Sequence, residues 1–141
     1  MSTLIIIRGL PGCGKTTAAR KMKFTLRVNR DDLRAMLLET WNYEERELED
    51  LVTRMQFSCI QTALLSGFDT VCDDTNLSED AVVMLQAIAT LCKGQHRIVD
   101  MRDVRLDVCL KRNAQREVGK GYVDPNVIVR MYHEYIEGKQ F

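Results

Sequence analysis

Short apolar runs alternate with stretches of helical period along the whole chain, and only Pro11 and Pro125 interrupt it. The composition is globular, and 141 residues suit a single core. These observations predict one α/β domain over residues 1–141, built as a parallel sheet of four to five strands with helices on both faces.

The elements follow in order. Leu4 to Ile7 is a continuous apolar run, as expected of a strand buried on both faces. Residues 15–23 read as a helix and 24–28 as a second strand. Residues 31–41, ending at Trp41, look helical. A long helix starts near Tyr43, with Leu48, Leu51, Val52, Met55 and Cys59 on one face, and Gly67 ends it. Thr70, Val71 and Cys72 form a short third strand. Ser78 suits an N-cap before a helix with Val82, Leu85, Ala89 and Cys92 inward. Residues 96–101 form a fourth strand. Residues 105–118 read as a helix that stops at Gly119. Asp124 then caps a last helix with Pro125 at its first position.

Several classes drop out on composition. No apolar run approaches the ~20 residues that span a bilayer. The start, Met1 to Arg8, lacks the basic region and length of a signal peptide, so a cytoplasmic, soluble protein is expected. Five cysteines, none in a C-x-x-C pair, read as reduced and mostly buried thiols. His96 and His133 lie far apart and suggest no metal site. Net charge is zero, against a long sequence-blind grip on nucleic acid. Its distribution is uneven: +6 over residues 1–38, −9 over 39–92 and +3 over 93–141. The two ends are expected to converge on a polyanion while the middle faces away.

In a parallel α/β sheet, ligands bind beyond the carboxyl ends of the strands. After the first strand comes Gly9-Leu10-Pro11-Gly12-Cys13-Gly14-Lys15-Thr16, which fits G-x-x-x-x-G-K-[ST] at every specified position. Glycines let backbone N–H groups wrap phosphate oxygens, and the following helix points its positive end at the same anion. Lys15 would reach the β- and γ-phosphates of a nucleotide and the Thr16 hydroxyl would ligate Mg²⁺. Gly12, Cys13, Gly14 and Thr17 complete the nucleotide-binding stretch.

After the second strand, Asn29-Arg30-Asp31-Asp32-Leu33-Arg34 offers a carboxylate for an acceptor hydroxyl, with Asp31 and Asp32 both open as candidates. Arg34 shares a helix face with Asp31 and could clamp an anionic group. After the third strand, Asp73-Asp74-Thr75-Asn76 could support Mg²⁺, directly or through water, or orient the acceptor. Asp73 and Asp74 are equal candidates on spacing. Arg105, Arg112 and Arg116 form a stripe in a helix beside Gly119-Lys120-Gly121. Arg112 and Arg116 suit a lid that neutralises transferring phosphate, a role worth ~10³–10⁵ in rate, and Arg105 suits a surface pair with Asp103 or Asp107. The acidic stretch 44–50 reads as a solvated helix face.

The ordered set G-L-P-G-C-G-K-T-T, N-R-D-D-L-R, D-T-N-L, K-R-N-A-Q-R and V-D-P-N-V-I-V-R-M-Y, spread over residues 4–135, resembles the kinase module of bacteriophage-type 5′-polynucleotide kinases. That resemblance implies a P-loop kinase fold with a helical lid, and transfer of the ATP γ-phosphate to 5′-hydroxyl ends of DNA or RNA in nucleic acid repair. It makes Asp31 the general base and Arg34 the holder of the acceptor's 3′-phosphate. Asp74 would support the acceptor site by fixing Arg34, with Thr75 and Asn76 beside it. Lys15 and Arg116 would act on the transferring phosphate, and Arg112 on the nucleotide. Family members often carry a fused phosphatase or ligase. With no D-x-D signature and the last helix near Phe141, kinase activity alone is expected, with a separate partner for those steps. Two alternatives compete: a kinase for a sugar, antibiotic or nucleoside, and a nucleotide-binding switch without transfer. Arg34 speaks against a neutral acceptor, and Asp31 with Arg112 and Arg116 against a switch.

Overall fold

The computed structural model describes residues 1–38, 46–118 and 121–141. Strands β1 (Thr3–Arg8), β2 (Thr25–Val28), β3 (Asp69–Cys72) and β4 (Gln95–Asp100) form one sheet in the order β2-β3-β1-β4. Every pairing is parallel. Four strands meet the lower end of the expectation.

β1 is central because it is apolar on both faces. Leu4 and Ile6 point to one side, where Ile60 and Leu64 of α3 (Arg46–Leu65) and Leu85, Ile88 and Ala89 of α4 (Glu79–Leu91) pack on them. Ile5 and Ile7 point to the other side, against Val71 and Ala19 of α1 (Lys15–Arg20). Each such aliphatic side chain contributes about 1.5–3 kcal/mol on burial. A third cluster, Leu10, Cys13, Leu77, Cys109 and Ile128, joins the loop after β1 to α5 (Leu106–Ala114) and α6 (Pro125–Tyr135). Helices therefore cover both faces, and the carboxyl ends of β1, β2 and β3 meet at one edge. Arg8 fastens that edge: its guanidinium donates to the carbonyls of Asn76 (2.7 Å) and Leu77 (2.9 Å).

Several boundaries differ from expectation. α1 stops at Arg20, and Phe24 takes a left-handed turn (φ 58°) that delays the second strand by one residue. α2 runs Arg30–Leu38. The expected helix end at Trp41, the start near Tyr43 and part of the acidic stretch lie outside the described residues. α3 buries Val52, Gln56, Ile60, Ala63 and Leu64, whereas Leu51 and Cys59 are exposed. The inward face is rotated from the predicted stripe because the polar Gln56 is drawn inside by hydrogen bonds to Arg30 and Asp74. α4 largely follows its forecast: the Ser78 hydroxyl accepts from the Ala81 N–H (3.1 Å), and Val82, Leu85 and Ala89 are buried, whereas Cys92 is the residue just past the helix and is only partly buried. α6 follows its forecast too: Asp124 caps and Pro125 leads.

The lid helix is shorter than predicted. α5 ends at Ala114 because the buried Asn113 side chain bonds the main chain of Val123 at both its N–H (3.0 Å) and carbonyl (2.6 Å), turning the chain back. Arg105 precedes the helix and Arg116 follows it, so the predicted arginine stripe reduces to Arg112. Arg105 does pair with Asp107. The stop at Gly119 and the residue Lys120 lie outside the described residues. Cys13, Cys72 and Cys109 are buried, and all five cysteines are free thiols.

Candidate active site

The loop between β1 and α1 is set by its glycines. Gly12 (φ 86°) and Gly14 (φ 102°) both occupy left-handed backbone that other residues resist. At Gly12 a Cβ would also collide with the Cys109 carbonyl, so α5 lies directly on the loop. Lys15 is 8% exposed, and that burial pushes its ammonium down from the ordinary lysine pKa. Its Nζ donates to the Leu10 carbonyl at 2.7 Å. Arg112 reaches across from α5 and donates to the Cys13 carbonyl at 3.0 Å. Thr16 and Thr17, at the start of α1, line the cleft in front of the loop.

The opposite wall comes from β2 and α2. Asn29 follows β2, and its Oδ1 accepts the Asp32 N–H at 3.0 Å, capping α2. Asp32 is tied back to Arg27. Asp31 instead faces the cleft and pairs with Arg34. Spacing left the two aspartates open; the capping geometry separates them. Desolvation raises the Asp31 pKa, the Arg34 guanidinium pulls it back, and the nearby Asp74 and Asp32 charges push it up again.

The two acids after β3 also separate. The Asp73 side chain is fully enclosed, accepting from Arg27 Nε (2.8 Å) and Asn29 Nδ2 (3.0 Å). Asp74 accepts from the Arg30 backbone N–H (2.9 Å) and from Gln56. Desolvation raises its pKa. The expected Asp74–Arg34 contact is not formed. Arg34 is fixed by Asp31 and by Glu49, whose carboxylate takes its Nε and, at 2.6 Å, its Nη2. Thr75 lines the cleft, and its carbonyl accepts the Gly9 N–H at 3.0 Å. Asn76 is buried, and its amide donates to the carbonyls of Ile7 (2.8 Å) and Asp74 (3.1 Å), so it holds the β3 end in place.

The cleft is about 590 Å³. Lys15, Arg20, Arg27, Arg30 and Arg34 from the first third line it, with Arg116 from the last; Arg116 Nη1 donates to the Gly121 carbonyl at 3.1 Å. The predicted convergence of the two basic ends therefore holds. The middle does not face away: Asp73 and Asp74 enter the cleft and Glu49 braces its arginines. A groove of about 480 Å³, lined by Phe57, Met84, Leu85, Met131 and Tyr135, adjoins it and shares Arg30, Asp74 and Thr75.

Glu49, Gln56, Arg27 and Arg30 escaped the sequence reading as site residues. Glu49 sits in an acidic stretch that looks solvated, and no motif marks it. The helical period would have placed Glu49, Thr53 and Gln56 on one face, a signal masked by the leucines beside them.

For a divalent cation, the hydroxyl of Thr16 and the carboxylates of Asp73 and Asp74 all line the cleft and are oxygen donors of the type that suits Mg²⁺. Both acids already accept protein hydrogen bonds. Among the described residues no group of three or more His, Cys, Asp or Glu forms a metal cage. The set thus fits an ion held largely by nucleotide phosphates and water, with the protein adding one or two ligands.

A phosphate loop on a parallel sheet, a facing aspartate and a basic lid define a P-loop phosphotransferase fold. The chain belongs to the AAA domain family AAA_33, whose profile matches residues 4–135. It is 28% identical, over 98% of its length, to a protein of Autographa californica nuclear polyhedrosis virus provisionally named a bifunctional polynucleotide kinase/RNA ligase. Among solved structures it resembles a chain of the Pnkp1/Rnl/Hen1 RNA repair complex (TM-score 0.81, 24% identity, 99% of this chain and 47% of that one). The Mycobacterium tuberculosis APS kinase CysC in complex with AMPPNP and APS shares the fold at TM-score 0.63 and 14% identity, over 81% of this chain and 69% of that one. The chain spans about a fifth of the viral protein, at 21%, and under half of the repair-complex chain.

Proposed function

We propose that residues 1–141 act as one unit that transfers the γ-phosphate of ATP to the 5′-hydroxyl end of DNA or RNA. The observation that carries this reading is the pairing of Asp31 with Arg34 on the wall opposite Lys15 and Arg116. A carboxylate beside a guanidinium suits an acceptor with a hydroxyl next to a phosphate, as at a 5′-hydroxyl nucleotide end. The names of the viral relative and of the repair complex support the same acceptor class.

Each residue then has a physical task. The loop N–H groups and Lys15 hold the donor phosphates. Thr16, with Asp73 or Asp74 through water, would hold Mg²⁺, which would supply charge neutralisation for the donor phosphates. Asp31 accepts the 5′-hydroxyl proton as the oxygen attacks phosphorus. Arg34 holds the acceptor's 3′-phosphate. Arg112 and Arg116 face the charge that develops on the transferring group. The adjoining apolar groove would take unpaired bases next to the reacting end. The 5′-phosphate product is a ligation substrate, so ligase and 3′-phosphatase activities would complete end repair. No helix among the described residues is long and apolar enough to cross a membrane; we place this activity in the cytoplasm.

The test is transfer of labelled γ-phosphate to a 5′-hydroxyl oligonucleotide, a nucleoside 3′-monophosphate, a plain nucleoside and gluconate. Labelling of the first two alone supports the proposal. Labelling of only the nucleoside or gluconate replaces it with a small-molecule kinase.

A further inference from the structure

Glu49 reaches the site from α3, an element with no place in the phosphate-transfer machinery described above. One carboxylate oxygen takes Arg34 Nε, and the other takes Arg34 Nη2 at 2.6 Å and Arg30 Nη2 at 3.1 Å. Arg34 Nη1 meets Asp31. A guanidinium has five N–H donors, and these contacts use three of them. The side-on fork to Glu49 fixes the plane of the Arg34 group, and among the described residues it leaves one N–H uncommitted on each terminal nitrogen. Arg34 is also the first cause of the low Glu49 pKa, so the carboxylate stays charged wherever the site works.

We propose that Glu49 is a positioning residue that sets specificity for a phosphate-bearing acceptor. It orients Arg34 so that the two free donors meet the phosphate 3′ of the reacting nucleotide, and it anchors Arg30 in the same grip. This rests on the polynucleotide kinase reading and names a residue that reading does not use. The alternative for Arg34 without Glu49 is a long side chain that swings onto Asp31 alone, where it would neutralise the base and leave the acceptor phosphate unheld. Three converging N–H donors on one planar carboxylate distinguish this arrangement from a loose surface pair.

The experiment uses the whole chain and two oligonucleotides of one sequence. One carries an ordinary first phosphodiester and the other a neutral methylphosphonate there. Glu49→Ala should raise KM for the phosphodiester acceptor roughly tenfold. It should leave KM for ATP and KM for the methylphosphonate acceptor within about twofold, since neither ligand brings a charge to Arg34, and it should leave the thermal midpoint within a few degrees. Glu49→Gln, which keeps one acceptor oxygen for Nε, should fall between. Adding Glu49→Ala to Arg34→Ala should cost clearly less than Glu49→Ala costs alone, the remainder being the loss of the Arg30 anchor. An equal rise for both oligonucleotides, a parallel rise for ATP, or a full extra loss in the double variant overturns the inference. Wild-type protein that ignores both oligonucleotides and phosphorylates gluconate overturns the polynucleotide reading itself, and the inference with it.

Discussion

The donor wall of the cleft is shaped by main chain, and the acceptor wall is held by side chains. At the loop after β1, left-handed glycines and main chain shape the wall, and the side chains of Lys15, Arg112 and Arg116 are set against it. At β2–α2, two ion-pair clusters hold the side chains: Arg27 with Asp32 and Asp73, and Arg30 and Arg34 with Glu49 and Asp31. Backbone shape is encoded locally and tolerates changes elsewhere. A charged network is encoded by residues far apart in sequence, and each member's loss is felt by the next.

The largest effect should come from the cation that serves the donor wall. Arg116→Ala is expected to lower kcat by about 10³–10⁵ while ATP binding, read by equilibrium titration, stays within a few-fold. Binding lost in proportion to kcat would make Arg116 part of the loop's ground-state grip. Next is the base. Asp31→Asn should cost about 10²–10⁴ in kcat with KM for ATP unchanged, measured in the labelled-transfer assay. Near-normal turnover would remove Asp31 from the chemistry.

Stability should then separate the two aspartates that share Arg27. Asp73 is enclosed, so Asp73→Asn strips a buried partner and should cost about 2–3 kcal/mol in urea unfolding. The Asp32 side chain is 39% exposed, and Asp32→Asn should cost under about 1 kcal/mol. Equal losses would mean that Arg27 draws no distinction between enclosed and exposed partners.

The smallest effect is in pH. Asp31 must be deprotonated to accept a proton, and desolvation raises its pKa. The acid limb of kcat/KM for the acceptor should therefore lie above the ordinary aspartate range. Arg34 favours the charged carboxylate, so Arg34→Gln should move that limb higher still. A limb in the ordinary range that ignores Arg34→Gln would detach Asp31 from it.

The same contrast explains what was legible in the sequence. The loop was readable because Gly12, Gly14, Lys15 and Thr16 serve one contiguous turn. The sheet was readable because Leu4 to Ile7 can be buried only between two helical layers. The phase of α3 was not, because Gln56 is polar by composition and interior by virtue of Asp74, 18 positions away. The end of α5 was not, because it depends on Asn113 meeting Val123. Glu49 was hidden for the same reason: its role exists only once α3 lies against α2.

Lys15 and Arg112 rest on the carbonyls of Leu10 and Cys13. A nucleotide entering the loop thus exchanges one set of hydrogen bonds for another and does not fill a bare positive hole. Affinity follows the difference between the two sets. A triphosphate has oxygens enough to satisfy the loop, the lysine and the arginine together, whereas a lone phosphate ion displaces the internal partners for little return. Two hydrogen bonds within the protein would thereby make the loop sensitive to how many phosphates a ligand carries.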